Sequence, residues 1–342
     1  PQAAGDFSGL GDVTLGSGGG GSELTIDSDA KFGGTIDGDG ANANEGTINI
    51  NAGKTVTFDG KIGDTNEIKT VNLVGDGSIA VFNEDVKAFT ILTNDATAEI
   101  RVANDKDVDS FVDATANGGI LKFLGASQVT QTIGATNALT LIHASGAGVV
   151  QLDDPVTAAT LKVSHAGAAV RLDDANALTG DVSFTADGIV QVANNGVITG
   201  AVDNAGNAAA AGKLIFAGVG TVTQAIDAAN ALTLIHANGA GAVNLGNGNA
   251  VNAATIKVGH ANAVVTAAGA VTGNVAFTAA GTYNANGNLT GDVDFANTAG
   301  TVNVANNKTI TGAVDSTVGV GGNLIFAGAG TVTQAIGAAK EA

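Results

Sequence analysis

The sequence predicts an all-β fold, a β-solenoid built as a right-handed parallel β-helix with coils of about 20 residues. Three observations carry this: the chain repeats itself at two length scales, its short segments alternate apolar and polar residues, and its composition favours thin layers. Of 342 residues 51 are Gly and only 2 Pro, with no Cys, Met or Trp. Hydrophobic residues make up 44% and charged residues 13%, the reverse of a disordered chain. Ala, Val, Ile and Leu, with 12 Phe and one Tyr for bulk, suit a core packed between sheets.

The long repeat is direct to read. Leu121-Lys-Phe-Leu-Gly-Ala-Ser-Gln-Val-Thr-Gln-Thr-Ile133 returns as Leu214-Ile-Phe-Ala-Gly-Val-Gly-Thr-Val-Thr-Gln-Ala-Ile226 and again from Leu324 to Ile336. An Asn that leads into an apolar run recurs at Asn66, Asn137 and Asn230. The intervals within each series are unequal, and they differ by roughly 20 residues, as if single short modules were added. That module is visible in a Thr-Gly-x-Val element with its glycine at Gly180, Gly200, Gly273, Gly291 and Gly312. Neighbours within each cluster lie about 20 residues apart, the length of one solenoid repeat.

Within each module, stretches such as Asp181-Val-Ser-Phe-Thr185 and Thr301-Val-Asn-Val304 have the period of a half-buried strand. About 20 residues hold two or three such strands with their turns, and no 3.6-residue stripe supports a helix. Parallel crossovers are overwhelmingly right-handed, which sets the expected hand. At roughly 4.8 Å per coil, some 17 coils would make a rod about 80 Å long. Val, Ile, Leu and Phe are expected inward and Thr, Asn, Ser and Asp outward, with the five glycines above at the repeat corners. The pairs Asn194-Asn195 and Asn306-Asn307 are open to two readings, stacked side-chain ladders or exposed turns. Residues 1–22, which include Gly16-Ser-Gly-Gly-Gly-Gly-Ser22, are expected as an N-terminal arm and flexible connector, with the solenoid over 23–342. The glycine run lacks the Lys and Ser/Thr of a phosphate loop.

Charge and composition exclude several partners. The formal charge is −18, from 14 Lys+Arg against 32 Asp+Glu. With two arginines, Arg101 and Arg171, and no basic run, the chain offers no footprint for nucleic acid or anionic lipid. No segment approaches the ~18 consecutive apolar residues of a membrane helix, and no export signal opens the chain. Absence of Cys removes disulfides, thiol nucleophiles and thiolate zinc sites.

Gly63-Asp-Thr-Asn66, Lys69-Thr-Val-Asn-Leu73, Asn51-Ala-Gly-Lys-Thr-Val-Thr-Phe58 and the Thr-Gly-Ala-Val-Asp phrases at Thr199 to Asp203 and Thr311 to Asp315 are the most distinctive wording in the chain. These repeats, over roughly residues 46–337, resemble the passenger regions of rickettsial surface autotransporters of the outer membrane protein A and B type. The resemblance implies a β-helical passenger displayed on the bacterial cell surface, acting in host-cell adhesion or as a surface layer, with no catalytic residues. Two departures stand out: no segment reads as a translocator barrel, and the third long repeat gives way to Ala339-Lys340-Glu341-Ala342. They suggest a processed passenger or a fragment, whose last coil would expose a strand edge.

Candidate chemistry is sparse. Asp153-Asp154 and Asp173-Asp174 follow the matched phrases Gln151-Leu152 and Arg171-Leu172 one module apart, so the coil period would stack four carboxylates. A bound Ca²⁺ would relieve their repulsion; a solvated acidic face is the other reading. Asp27, Asp29, Asp37 and Asp39 repeat an Ile-Asp-x-Asp phrase without completing a calcium loop. His143, His165, His236 and His260 end strands in two pairs, the members of each about one module apart, but no third ligand recurs beside them. Sugar-cleaving β-helices need acids grouped with Arg or Lys in a groove, and none is legible, so no enzyme and no required cofactor are expected. Two functions remain: a self-assembling surface-layer or filament subunit, whose partners are copies of itself side by side or end to end, and a monomeric adhesin rod that meets a host-cell receptor. The first is preferred at this stage, on the long regular Gly/Ala/Asn/Thr faces.

Overall fold

In the computed structural model the chain is a β-solenoid of parallel stacked coils, 56% strand, with about 14 turns among the described residues. The residues described are 2–7, 9, 11–16, 21–40, 45–115, 118–205, 209–226, 230–296, 298–316 and 321–337. Two compact units divide it, residues 1–170 and 171–342. Among the described residues no helix is long and apolar enough to cross a membrane.

In the first unit every coil lays short strands on those of the coil before, in parallel register. Glu23–Phe32 carries Thr55–Phe58, which carries Ile79–Phe82, then Glu99–Val102, Ile120–Phe123, Leu139–Ala144 and Val156–Val163. Phe32, Phe58, Phe82, Val102, Phe123, Ala144 and Val163 thus form one inward column. All seven are buried. The rings of Phe7, Phe32, Phe58 and Phe82 stack with centroids 5.4, 5.7 and 5.4 Å apart. Such pairs add about 0.5–1.5 kcal/mol to what burial supplies. A second column runs Ile26, Ile50, Leu73 and a third Ile36, Ile62, Val86, Val108, Val129. Alternation of period two sends the intervening residues outward, which is why Val and Ile alternate with Thr, Asn and Lys in the sequence.

The coils are less uniform than a constant module. Along the first column the coils from Phe32 to Phe58 and from Phe58 to Phe82 are longer than those that follow through Val102, Phe123, Ala144 and Val163. Strands keep their register while turns absorb the difference, so the chain makes fewer turns than a fixed period implies. Residues 1–22, expected as an arm and connector, contribute the strand Gln2–Phe7, paired in parallel with Glu23–Phe32, and Val13–Leu15, paired with Ile36–Gly38. Residues 17–20 of the expected connector lie outside the described residues, as do residues 338–342, where the third long repeat breaks off.

The second unit is built the same way. Val192, Phe216, Ala237, Val258 and Phe277 form a column, and Ala285, Val304 and Phe326 another. Tyr283 stands fully buried between Val265 and Val302. The corner glycines stack on one another. A Cβ on Gly200 would meet the Gly180 carbonyl oxygen at 2.2 Å, one on Gly291 that of Gly273 at 2.2 Å, and one on Gly312 that of Gly291 at 2.1 Å. Gly180, Gly273 and Gly291 also hold φ of 140°, 138° and 150°, which side chains rarely adopt.

Candidate functional site

Most turn carboxylates and amides are occupied by the fold. Asp29 Oδ1 accepts the backbone N–H of Thr55 at 2.8 Å, one coil on, and Asp107 that of Gln128 at 3.0 Å. In the second unit Asp181 accepts from Ala201 and Asp292 from Ala313, each at 2.8 Å. Asn104, Asn194 and Asn306 do the same for Ala126, Val219 and Ala329 at 2.9, 3.1 and 2.9 Å. These side chains cover backbone donors that the turn leaves unpaired. The two Asn pairs are therefore turn devices rather than ladders: Asn195 and Asn307 take φ of 62° and 60° while their neighbours bridge coils.

An amide ladder does exist elsewhere. Asn49 Nδ2 donates to Glu23 Oε1 at 2.9 Å, Asn72 Nδ2 to Asn49 Oδ1 at 3.0 Å, and Asn94 Nδ2 to Asn72 Oδ1 at 2.7 Å. The amides of Asn49 and Asn72 both donate and accept, so successive coils are tied by one continuous chain of hydrogen bonds.

Asp153 and Asp154 lie in the first unit. Asp153 accepts from Gln151 Nε2 at 2.7 Å and also from Gln128 Nε2, and Asp154 Oδ2 from Thr132 Oγ1 at 3.4 Å. Asp173 and Asp174 lie in the second unit, where Asp173 Oδ1 is 3.6 Å from Arg171 Nη2 and Asp174 accepts the Asn194 N–H at 3.1 Å. Asp27 accepts from Asn51 Nδ2 at 2.9 Å and Asp37 from the Thr65 N–H at 3.1 Å. Among the described residues no three His, Asp or Glu side chains converge as a metal-ligating group.

The histidines repeat in role as well as in sequence. His165 and His260 each accept, at Nδ1, the backbone N–H two positions on, at 3.0 and 3.1 Å. His143 Nε2 meets Ser164 Oγ at 2.6 Å, and in the second unit Gly259 takes the place of that serine above His236. His236 Nε2 is buried without a hydrogen-bond partner among the described residues. A Cβ on Gly259 would lie 2.2 Å from it. Burial, with Lys162 and Lys122 beside it, pushes the His143 pKa down; burial and Lys257 do the same for His236.

Those lysines reveal an arrangement that the sequence hides. Arg101, Lys122, His143 and Lys162 are register partners on four successive coils, all pointing outward. Strand spacing puts neighbouring rungs about 4.8 Å apart. Glu99 sits at one end, 3.0 Å from Arg101 Nε and 3.7 Å from Lys122 Nζ. Burial works to raise the Glu99 pKa, but the two cations outweigh it and hold it below the ordinary value. Three cations and a histidine against one carboxylate make this face positive in a strongly acidic chain. The signal in the sequence is the shared place of each residue, one position before Val102, Phe123, Ala144 and Val163.

The chain is 34% identical to outer membrane protein A of Rickettsia rickettsii over 307 residues, which cover 86% of this chain and 12% of that protein. It is 36% identical to outer membrane protein A of Rickettsia conorii over 211 residues, 60% of this chain and 9% of that protein. With outer membrane protein B of Rickettsia rickettsii the identity is 29% over 255 residues, 62% of this chain and 14% of that protein. The repeats thus resemble those of the rickettsial surface proteins A and B, and the chain spans about an eighth of the length of these relatives. No family model and no solved structure matches it significantly.

Proposed function

We propose that this chain is part of a non-enzymatic passenger displayed outside a bacterial cell, and that it works as an adhesive rod segment through its outward side chains. The likeness to outer membrane proteins A and B supports the display. The observation that carries the adhesive role is the way the coil faces are finished. Among the described residues most strands within each unit pair with those of the coils on both sides, and turn acids such as Asp29, Asp107, Asp181 and Asp292 bind the backbone of the next coil. Contacts with anything outside therefore fall to ladders of side chains on the faces, a surface suited to an extended ligand. Display is tested by protease treatment of intact bacteria that express the parent protein: loss of an epitope within residues 45–115 supports it, and full protection opposes it.

A second reading is lateral association of rods into a surface layer or filament. It is favoured by Phe89 and Phe111, a T-shaped pair with centroids 5.6 Å apart, of which Phe89 is 47% exposed in a chain that buries most of its aromatic rings. Ca²⁺ bridging through Asp153, Asp154, Asp173 and Asp174 belongs to this reading, because the charge of −18 opposes close packing without cations. Negative-stain images and sedimentation in EDTA and in millimolar Ca²⁺ distinguish the two: sheets or filaments support assembly, and unchanged single particles leave the adhesive rod.

A further inference from the structure

We propose that the face carrying Arg101, Lys122, His143 and Lys162 binds a linear sulfated glycan laid along the column, perpendicular to the strands. This names the partner class for the displayed passenger and so rests on that reading. Three observations lead to it. The four side chains are in register on consecutive coils, so the charges of Arg101, Lys122 and Lys162 form a straight row with His143 between the lysines. Arg101 and Lys122, on adjacent rungs about 4.8 Å apart, repel one another. Among the described residues Glu99 is the carboxylate that pairs with the row, at the Arg101 end, and Lys162 has no ion pair. The row therefore carries more positive charge than its one carboxylate offsets, in a chain of net charge −18.

The ligand class follows from the flanks. The outward neighbours are Ile120, Leu141 and Thr160 on one side and Leu124, Ser145 and Ser164 on the other, which offer apolar steps beside Lys122 and hydroxyls beside His143 and Lys162, but no aromatic ring to stack a base. Sulfates spaced along an extended pyranose chain meet a single row of cations, and sugar hydroxyls meet Ser and Thr. His143 contributes a ring between two lysines, held by Ser164 at 2.6 Å, which spaces the charges without adding a permanent one.

The test uses the purified full chain and heparin at about 0.1 M salt, where screening reaches ~10 Å. Heparin is expected to bind despite the net charge, and chemically desulfated heparin to fail. Lys122→Gln with Lys162→Gln should weaken binding about tenfold, the loss of two screened charge contacts. Lys162→Gln alone, which breaks no ion pair, should give a smaller loss with an unchanged melting temperature. The control Lys54→Gln with Lys69→Gln alters net charge equally and should stay within about twofold of the parent, since both lysines lie off this face. No retention on heparin, an equal loss in the control, or equal binding of single-stranded DNA of matched charge would each overturn the assignment. Binding of the isolated chain does not depend on display, so failure here is separable from failure of the protease experiment.

Discussion

The α-carbon of Gly200 packs so closely on Gly180, one coil below, that a single methyl group on Gly200 would stand 2.2 Å from the Gly180 carbonyl oxygen. The coil corner is closed by backbone against backbone, and glycine is required there by space rather than by flexibility. Gly200→Ala is expected to destabilise the second unit by about 1–3 kcal/mol, the usual cost of overpacking. Gly11→Ala, where a Cβ would meet nothing within 4 Å, should change little. Denaturant melts of the two variants check the contrast.

Asn72 is the middle rung of the amide ladder, donating to Asn49 at 3.0 Å and accepting from Asn94 at 2.7 Å. Asn72→Ala removes both bonds and leaves an acceptor below and a donor above without partners. A loss of about 1–2 kcal/mol is expected for these half-buried groups. Hydrogen exchange should rise in coils 45–115 more than elsewhere.

Tyr283 is fully buried, and its hydroxyl has no hydrogen-bond partner among the described residues. Burial pushes its pKa well up. Tyr283→Phe deletes an unsatisfied polar atom and keeps the ring between Val265 and Val302, so it should be neutral or stabilising by about 1 kcal/mol. A drop in melting temperature would show that the hydroxyl has a partner in solution.

Acid should weaken the fold in two stages. His143 and His236 have lowered pKa values, so the unfolded chain takes up protons first as pH falls below about 6.5, and stability declines from there to the lower folded values. Asp113 follows. Burial works to raise its pKa, but the N–H groups of Asn137, Thr136 and Ala114 at 3.0, 3.1 and 2.9 Å hold it below the ordinary value. Its contribution is present above about pH 4 and lost as pH falls through the folded pKa. Melts from pH 8 to pH 3 should be flat above pH 7, and His143→Gln with His236→Gln should remove the upper stage only.

Phe89 is the exposed member of its pair with Phe111, and it separates the two functional readings. Phe89→Ser should leave heparin affinity unchanged, because the cationic row lies on other strands. If rods associate laterally through this pair, the same change should abolish association in sedimentation, and an unaffected assembly would place the contact elsewhere.

The solenoid was legible because its coils copy one another: Phe58 and Phe82 each close a strand, and Gly180 and Gly200 each open a corner. What a fixed period hid was register. Coils differ in length, so side chains that share a column, such as Thr57, Val81 and Arg101, are unevenly spaced along the chain. A basic cluster assembled from four strands has no local signature, because Arg101, Lys122 and Lys162 are far apart along the chain and no basic run marks them. The turn acids were legible as residue types but not as roles, since Asp29 and Asp181 bind backbone groups that no pattern displays. The ladder of Asn49, Asn72 and Asn94 is similarly fixed by register, whereas Asn194 and Asn306 were more conspicuous in the sequence.

Register is the claim from which every face follows, and the absence of cysteine makes it directly measurable. Thr57, Val81 and Arg101 are outward partners on three successive coils. Neighbouring rungs at about 4.8 Å are within disulfide reach, whereas rungs two coils apart, near ~10 Å, are beyond the ~7 Å limit. Oxidation of paired cysteine variants should crosslink 57 with 81 and 81 with 101, and leave 57 with 101 free. A crosslink between 57 and 101, or none between 57 and 81, would contradict the stacking and with it the cationic row.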